Sequence, residues 1–260
     1  MTDSKYAFMK NNRLFINTSL GCKGNCMYCY LPTLGYSNDI KKYQTIKSSQ
    51  LLEIINKNYN ITKDILITIG CYSECLDEYN KKETLDIIKY FLKKGNQIQL
   101  STKKEIIESD FKEIKDLIKY YGQLIVFTSS TSITNQENIE KNTTPIINRL
   151  NNFNILNKLN IPSVLYLKPV LKNITIKDLE LYKKYIQEYN IENVVVGSMF
   201  TKDSSKEKSP FSNELFYNKT SDEDIIFNEL SKVTNVYRRS TEVVKKYKRK
   251  MRWIYESIYY

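Results

Sequence analysis

NTSLGCKGNCMYCYLPTLGY, residues 17–36, places three of the chain's five cysteines, Cys22, Cys26 and Cys29, in the spacing C-x3-C-x2-C. The chain has no histidine. An odd, clustered set of cysteines suits a metal or a reactive thiol better than a disulfide framework. Structural zinc is the rival reading, but it wants four ligands, and the remaining cysteines, Cys71 and Cys75, lie far downstream. A four-iron four-sulfur cube normally takes four thiolates, so three from one loop leave an iron open to something that is not protein. Gly21 and Gly24 free the loop to wrap round such a cube and to aim backbone amides at its sulfurs.

Outward from the loop, short apolar runs alternate with amphipathic stretches in the manner of βα units. RLFINT (13–18), DILITIG (64–70), NQIQLST (96–102), QLIVFTS (123–129), PSVLYLKP (162–169) and NVVVGSM (193–199) read as strands. Residues 48–59, 81–95, 110–122, 145–160 and 175–190 carry apolar side chains at helical spacing between them. Six strands with five crossover helices make a parallel sheet. Right-handed crossovers curl it into a doubly wound sheet or a partial barrel, with the chemistry at the C-terminal ends of the strands. From residue 201 the pattern changes to a Ser-, Lys- and Pro-containing loop, one helix (221–233) and a basic, aromatic tail. The expected division is a core over residues 1–200 and a short C-terminal helical extension over 201–260.

At 260 residues and 41% hydrophobic, the chain can bury one sizeable core. No apolar run approaches the ~20 residues that span a bilayer, and the first residues lack the apolar heart of a signal peptide, so a cytoplasmic protein with no membrane partner is expected. The formal charge of +11 suits a polyanionic partner such as nucleic acid, although Lys, Asn, Ile and Tyr run through the whole chain and a solvated basic surface accounts for the charge as well.

C-x3-C-x2-C followed by an aromatic residue, after the first strand of a βα barrel, resembles the radical S-adenosylmethionine (radical SAM) enzymes. That resemblance implies a partial (β/α)6 TIM-like barrel. It also implies a 4Fe-4S cluster held by Cys22, Cys26 and Cys29, with S-adenosyl-L-methionine (SAM) chelated at the open iron. One electron from an external donor of flavodoxin or ferredoxin type would then release a 5′-deoxyadenosyl radical that takes hydrogen from the substrate.

GCKGNCMYCYLPTLGY is further similar to the cluster loop of the spore photoproduct lyase subfamily, with its Tyr-Cys-Tyr and following Leu and Gly. ITIGCYSECLDEYN resembles that subfamily's second strand, LSTKKEII its third, and FTSSTSITNQENIEKNTTPIINRL its Ser-containing strand, Glu and helical Arg-Leu. The likeness implies that Cys71 returns hydrogen to the product radical, a role that needs the neutral thiol. It implies that Ser73 and Glu74 hold the cofactor's amino group, that Lys103 pairs with its carboxylate, and that Ser129 or Ser130 reaches the ribose or sulfonium. Tyr28 and Tyr30 are placed to pack on adenine or relay hydrogen, and Cys75 has no counterpart. The subfamily's longer segment before the cluster loop and its DNA-handling hairpin are not recognisable here. Two substrates are therefore expected: a nucleic acid under repair or modification, or a ribosomally made peptide undergoing epimerisation, cross-linking or excision. The tail VYRRSTEVVKKYKRKMRWIY either holds phosphates and bases or forms an amphipathic helix over the barrel end.

Overall fold

The computed structural model describes residues 5–37, 39–209 and 212–248. Eight strands form its main sheet in the spatial order of their sequence. They are β1 (Ala7–Lys10), β2 (Arg13–Ile16), β3 (Leu66–Ile69), β4 (Ile98–Thr102), β5 (Leu124–Ser129), β6 (Ser163–Leu167), β7 (Asn193–Val196) and β8 (Asn235–Tyr237). From β2 to β8 every pairing is parallel, with Ile16 opposite Ile69, Thr102 opposite Thr128 and Leu167 opposite Val196. The six expected strands are all present. The crossover helices are α1 (Ser48–Asn58), α2 (Lys81–Lys94), α3 (Glu108–Lys115), α4 (Ile146–Lys158) and α5 (Leu179–Glu188).

Side chains alternate across this sheet and build two layers of core. Leu14, Ile16, Ile67, Ile69, Ile98 and Leu100 face outward against Leu51, Ile55, Ile87, Phe91 and Phe111 of α1 to α3. Leu165, Leu167, Val194 and Val196 do the same against Leu150, Phe153, Tyr182 and Ile186. Each such burial is worth about 1.5–3 kcal/mol. The inner layer is made by Ile125, Phe127, Val164 and Val195, which pack against Val243, Val244 and Tyr247 of a helix over residues 240–248.

That last helix takes the barrel-covering alternative for the part of the tail that is described. Its apolar face packs on the inner side of the sheet, so Val243, Val244 and Tyr247 are core rather than a free nucleic-acid arm. Residues 249–260, the rest of the tail, lie outside the described residues.

Three differences from the sequence reading have local causes. β1 and β2 form a hairpin whose two-residue turn, Asn11–Asn12, has φ of 52° and 57°. Asn tolerates this left-handed pair, as primed hairpin turns require. α3 stops at Lys115 instead of running to 122: the amides of Leu117 and Ile118 donate three residues back, to Ile114 and Lys115, and that of Lys119 donates to the Gln123 side chain at 2.8 Å. Residues read as a loop after 200 contribute a small antiparallel sheet, Met199–Thr201, Glu207–Lys208 and Phe216–Asn218. Strands of two or three residues are too short to show alternation. A helix α6 (Asp222–Leu230) follows, and β8 then joins the sheet edge beside β7.

Candidate active site

The cysteine loop leaves β2 and lies across the C-terminal ends of the strands. Its backbone is pinned from both sides. Gly21 donates to the Tyr72 carbonyl at 3.0 Å, and Cys22 to that of Ser37 at 3.2 Å. On the other side Met27 donates to the Ile139 carbonyl at 2.9 Å, and Cys26 forms a bridge with Glu140. Gly21 has φ +104°, and a Cβ there would lie 2.6 Å from the Ser37 carbonyl, so no other residue fits this turn.

Beneath the loop a buried ion pair holds the supports together. Glu140 and Arg149 are both fully buried and meet at 2.6 Å. Arg149 also donates to the carbonyls of Thr144 and Ser129 at 2.6 and 2.9 Å. Tyr28 donates its hydroxyl to the other oxygen of Glu140. The cysteine loop, the end of β5 and the start of α4 therefore share one charge pair. Such a pair is worth little against an apolar replacement, but removing one partner strands a buried charge. In the sequence Glu140 is an acid in a loop and Arg149 belongs to the helical Arg-Leu that the lyase resemblance picks out; that the two pair is not visible there.

The three cysteines, Cys71, Ser73, Glu74, Lys103, Ser129, Tyr28 and Tyr30 line one cavity of about 460 Å³. Ser130 does not; it is buried and its hydroxyl meets that of Tyr182 at 2.8 Å. Cys75 is also away from the cavity, 1% exposed in the outer core, and its thiol donates to the Ser101 carbonyl at 3.2 Å. Tyr30 donates to the Cys71 carbonyl at 2.5 Å, which fixes the turn that carries the thiol. Burial pushes Cys71 up to about 12, against a small opposing pull from Arg13, so the group is a thiol at neutral pH.

Glu74 is oriented rather than free. It accepts from the Lys103 amide at 2.7 Å, the Thr102 hydroxyl at 2.5 Å and the Leu76 amide at 3.2 Å. Lys103 places its Nζ 5.6 Å from the centre of the Tyr28 ring. Burial opposes its charge, but Tyr28, Cys26 and Glu140 outweigh that and hold the amine well above its usual range. Burial pushes Cys22 up to about 11 and raises Cys26 and Cys29 as well. A metal must displace these protons when the thiolates bind it.

Three observations bear on what the loop can hold. The donors are soft sulfurs with no histidine in the chain, which favours an iron–sulfur cluster over a hard cation. Among the described residues no three Cys, Asp or Glu side chains converge on a single ion. A cube spreads its ligands round its corners and needs no such point. Gly24 forms a cradle: a Cβ there would sit 3.4 Å from Cys22 Sγ and 3.7 Å from Cys26 Sγ, and the Gly24 amide already points at Cys22 Sγ at 3.4 Å. On the cofactor side, the Ser73 hydroxyl is buried on the cavity wall without a hydrogen-bond partner among the described residues. An orphaned group of this kind costs about 1–3 kcal/mol unless a ligand satisfies it. The residues present fit a four-iron four-sulfur cluster beside SAM.

No protein-family model and no curated protein matches the chain. Solved structures do match. A mutant of spore photoproduct lyase superposes with a TM-score of 0.67 over 92% of this chain and 81% of its own, at 14% identity. Another mutant of that enzyme, with bound AdoMet and dinucleoside spore photoproduct, gives 0.61 over 87% and 76%, at 14% identity. SuiB of Streptococcus suis bound to S-adenosylmethionine gives 0.57 at 11% identity, covering 87% of this chain and 50% of SuiB. The shared fold is the partial barrel of the radical SAM enzymes. No helix among the described residues is long and apolar enough to cross a membrane.

Proposed function

We propose that this chain is a radical SAM enzyme that repairs or modifies a nucleic acid, with Cys71 as hydrogen donor to the product radical. One observation carries the reading: Cys22, Cys26, Cys29, Lys103 and Cys71 line a single cavity at the C-terminal ends of a parallel barrel. Cys22, Cys26 and Cys29 would hold the 4Fe-4S cluster, while Ser73, Glu74 and Lys103 would hold the methionine end of SAM. Cluster and SAM together supply, on receipt of one electron, a carbon radical able to take hydrogen from an unactivated carbon.

The chain's own residues do the rest. The Lys103 ammonium offers the counter-charge for a carboxylate, and Glu74, fixed by Thr102 and the Lys103 amide, presents an acceptor of set direction toward an ammonium group. Ser73 offers its unpartnered hydroxyl. Ser129 stands at the end of β5, its carbonyl tied to Arg149. Cys71 keeps its proton because burial disfavours the thiolate, and an S–H bond is weak enough to yield hydrogen to carbon. Cys75 is buried in the outer core and takes no part. A nucleic-acid substrate is supported by the solved neighbours in complex with dinucleoside spore photoproduct. The peptide alternative uses the same thiol chemistry.

Product analysis tests the role of Cys71. Reduced, reconstituted protein is incubated anaerobically with SAM and either dinucleoside spore photoproduct or a peptide panel, and products are read by mass spectrometry. Both wild type and Cys71→Ala should release 5′-deoxyadenosine, whereas only wild type should form the normal product, with one deuterium gained in deuterated water. Normal, deuterated product from Cys71→Ala would reassign the donor. Turnover of peptide alone would replace the nucleic-acid substrate.

A further inference from the structure

Among the described residues the wall of the cavity carries two acids, Glu74 and Asp77, both at the cysteine end. Both are engaged, Glu74 as described and Asp77 by Lys23 and Lys104 at 2.9 and 3.4 Å. The opposite end presents Lys10, Arg13, Lys168, Arg239 and Lys245, and no carboxylate among the described residues. Arg239 reaches an exposed partner, Glu207, at 3.2 Å. Arg13 and Lys168 form no ion pair among the described residues.

Arg13 points inward from β2 beneath the turn that carries Cys71. Its guanidinium donates to Thr68 Oγ1 at 3.1 Å and Gln99 Oε1 at 3.3 Å, both neutral acceptors, and lies 4.8 Å from the centre of the Phe15 ring. Lys168 follows β6, with its Nζ 4.7 Å from the centre of the Tyr217 ring and 5.2 Å from that of Phe200. Ring faces offset only part of a desolvated charge. The acid whose charge reaches Lys168 is Glu223, but its oxygens accept from the Ser198 hydroxyl at 2.8 Å and the Thr220 amide at 2.9 Å. Burial, with the like charges of Arg239 and Arg13 set against Glu223, draws the Lys168 amine down to about 8.

Two cations facing one cavity without a counter-charge destabilise the fold unless a ligand supplies it. We propose that Arg13 and Lys168 form an oxyanion subsite that takes a phosphate or carboxylate group of the substrate, at the end of the cavity away from the cluster cysteines. Phe200 and Tyr217 flank the Lys168 ammonium with their rings. The site gives the substrate a polarity: its anionic group anchors beside Arg13 and its reacting carbon lies toward Cys71. That the occupant belongs to the substrate rests on the radical-enzyme reading; that it is an oxyanion does not.

Inorganic phosphate is the probe, titrated calorimetrically at low ionic strength into the reconstituted full-length protein, with acetate in parallel. A saturable site that depends on Arg13 and Lys168, and not on Lys103, is expected. Arg13→Gln and Lys168→Met should each weaken it about tenfold, and the double variant should abolish it. Arg13→Lys, which keeps the charge and loses the planar fork, should fall between. Without any substitution, phosphate should slow acylation of Lys168 by an amine reagent, read by peptide mass spectrometry. Preference for phosphate assigns that class and preference for acetate assigns a carboxylate; either upholds the subsite. Unchanged affinity in the double variant, or no saturable binding with no protection of Lys168, overturns it. Because phosphate binding needs no SAM cleavage, a protein that binds phosphate but releases no 5′-deoxyadenosine keeps the subsite and loses the enzyme reading.

Discussion

The two ends of the cavity are built from similar charged side chains and completed differently. At the cysteine end Glu140 meets Arg149, Asp77 meets Lys23, and Glu74 is tied down by Thr102 and a backbone amide. At the far end Arg13 and Lys168 face neutral acceptors and aromatic rings. Internal pairing braces the first end before any ligand arrives and leaves Lys103 and the Ser73 hydroxyl for the cofactor. Missing counter-charge makes the second end a site whose stability improves when an anion enters. Substitution should therefore cost stability at one end and raise it at the other.

The sharpest way to break this contrast is Arg149→Met, which leaves Glu140 buried and unpaired. It should cost about 3–5 kcal/mol in denaturant unfolding. A loss below about 1 kcal/mol would mean that the pair does not brace the cysteine loop. Lys103→Ala comes next. It should leave the cluster intact and weaken SAM binding by about 1.5–3 kcal/mol, tenfold to a hundredfold in a titration. Unchanged affinity would mean that Lys103 does not pair with the SAM carboxylate.

At the far end the sign reverses. Lys168 ionises at about 8 in the folded chain against an ordinary value of 10.5, so below pH 8 the folded state carries a charge it disfavours. Lys168→Met should then stabilise the ligand-free protein by about 1–3 kcal/mol at pH 7. The gain should fade as pH rises from about 8 toward 10.5, where the native lysine sheds its proton at falling cost. A loss of stability at pH 7 would show that Lys168 is compensated internally. The smallest effect is expected from Cys75→Ala, which removes a thiol from the outer core: about 1 kcal/mol in stability and normal product in the radical assay.

Much of this contrast was not legible in the sequence. The βα rhythm was, because strands such as Leu124–Ser129 are buried along their whole length and helices such as Lys81–Lys94 keep one apolar face. The cysteine loop was legible because its spacing is local. Glu140 and Arg149, by contrast, are nine residues apart; the resemblance marks an acid and a helical Arg in that stretch, but only the fold joins them as a pair. Arg13 and Lys168 lie at ends of strands whose neighbours become known only once the sheet has curled. The inward face of residues 240–248 was ambiguous for the same reason: Val243, Val244 and Tyr247 on a basic helix suit a barrel plug and a nucleic-acid arm equally until Phe127 and Val164 are seen against them. Ser130 shows the limit at a strand end, since one residue's shift from Ser129 carries the hydroxyl away from the cavity to Tyr182.

The central claim is that Cys22, Cys26 and Cys29 hold a cluster whose open iron binds SAM. Anaerobic reconstitution, followed by iron and sulfide analysis and electron paramagnetic resonance of the reduced protein with and without SAM, tests it most directly. Wild type should carry one four-iron four-sulfur cluster whose signal changes when SAM is added. Cys26→Ala should lose most of the brown chromophore, because two thiolates do not retain the cube. A full cluster in Cys26→Ala, or a wild-type signal indifferent to SAM, would contradict the account.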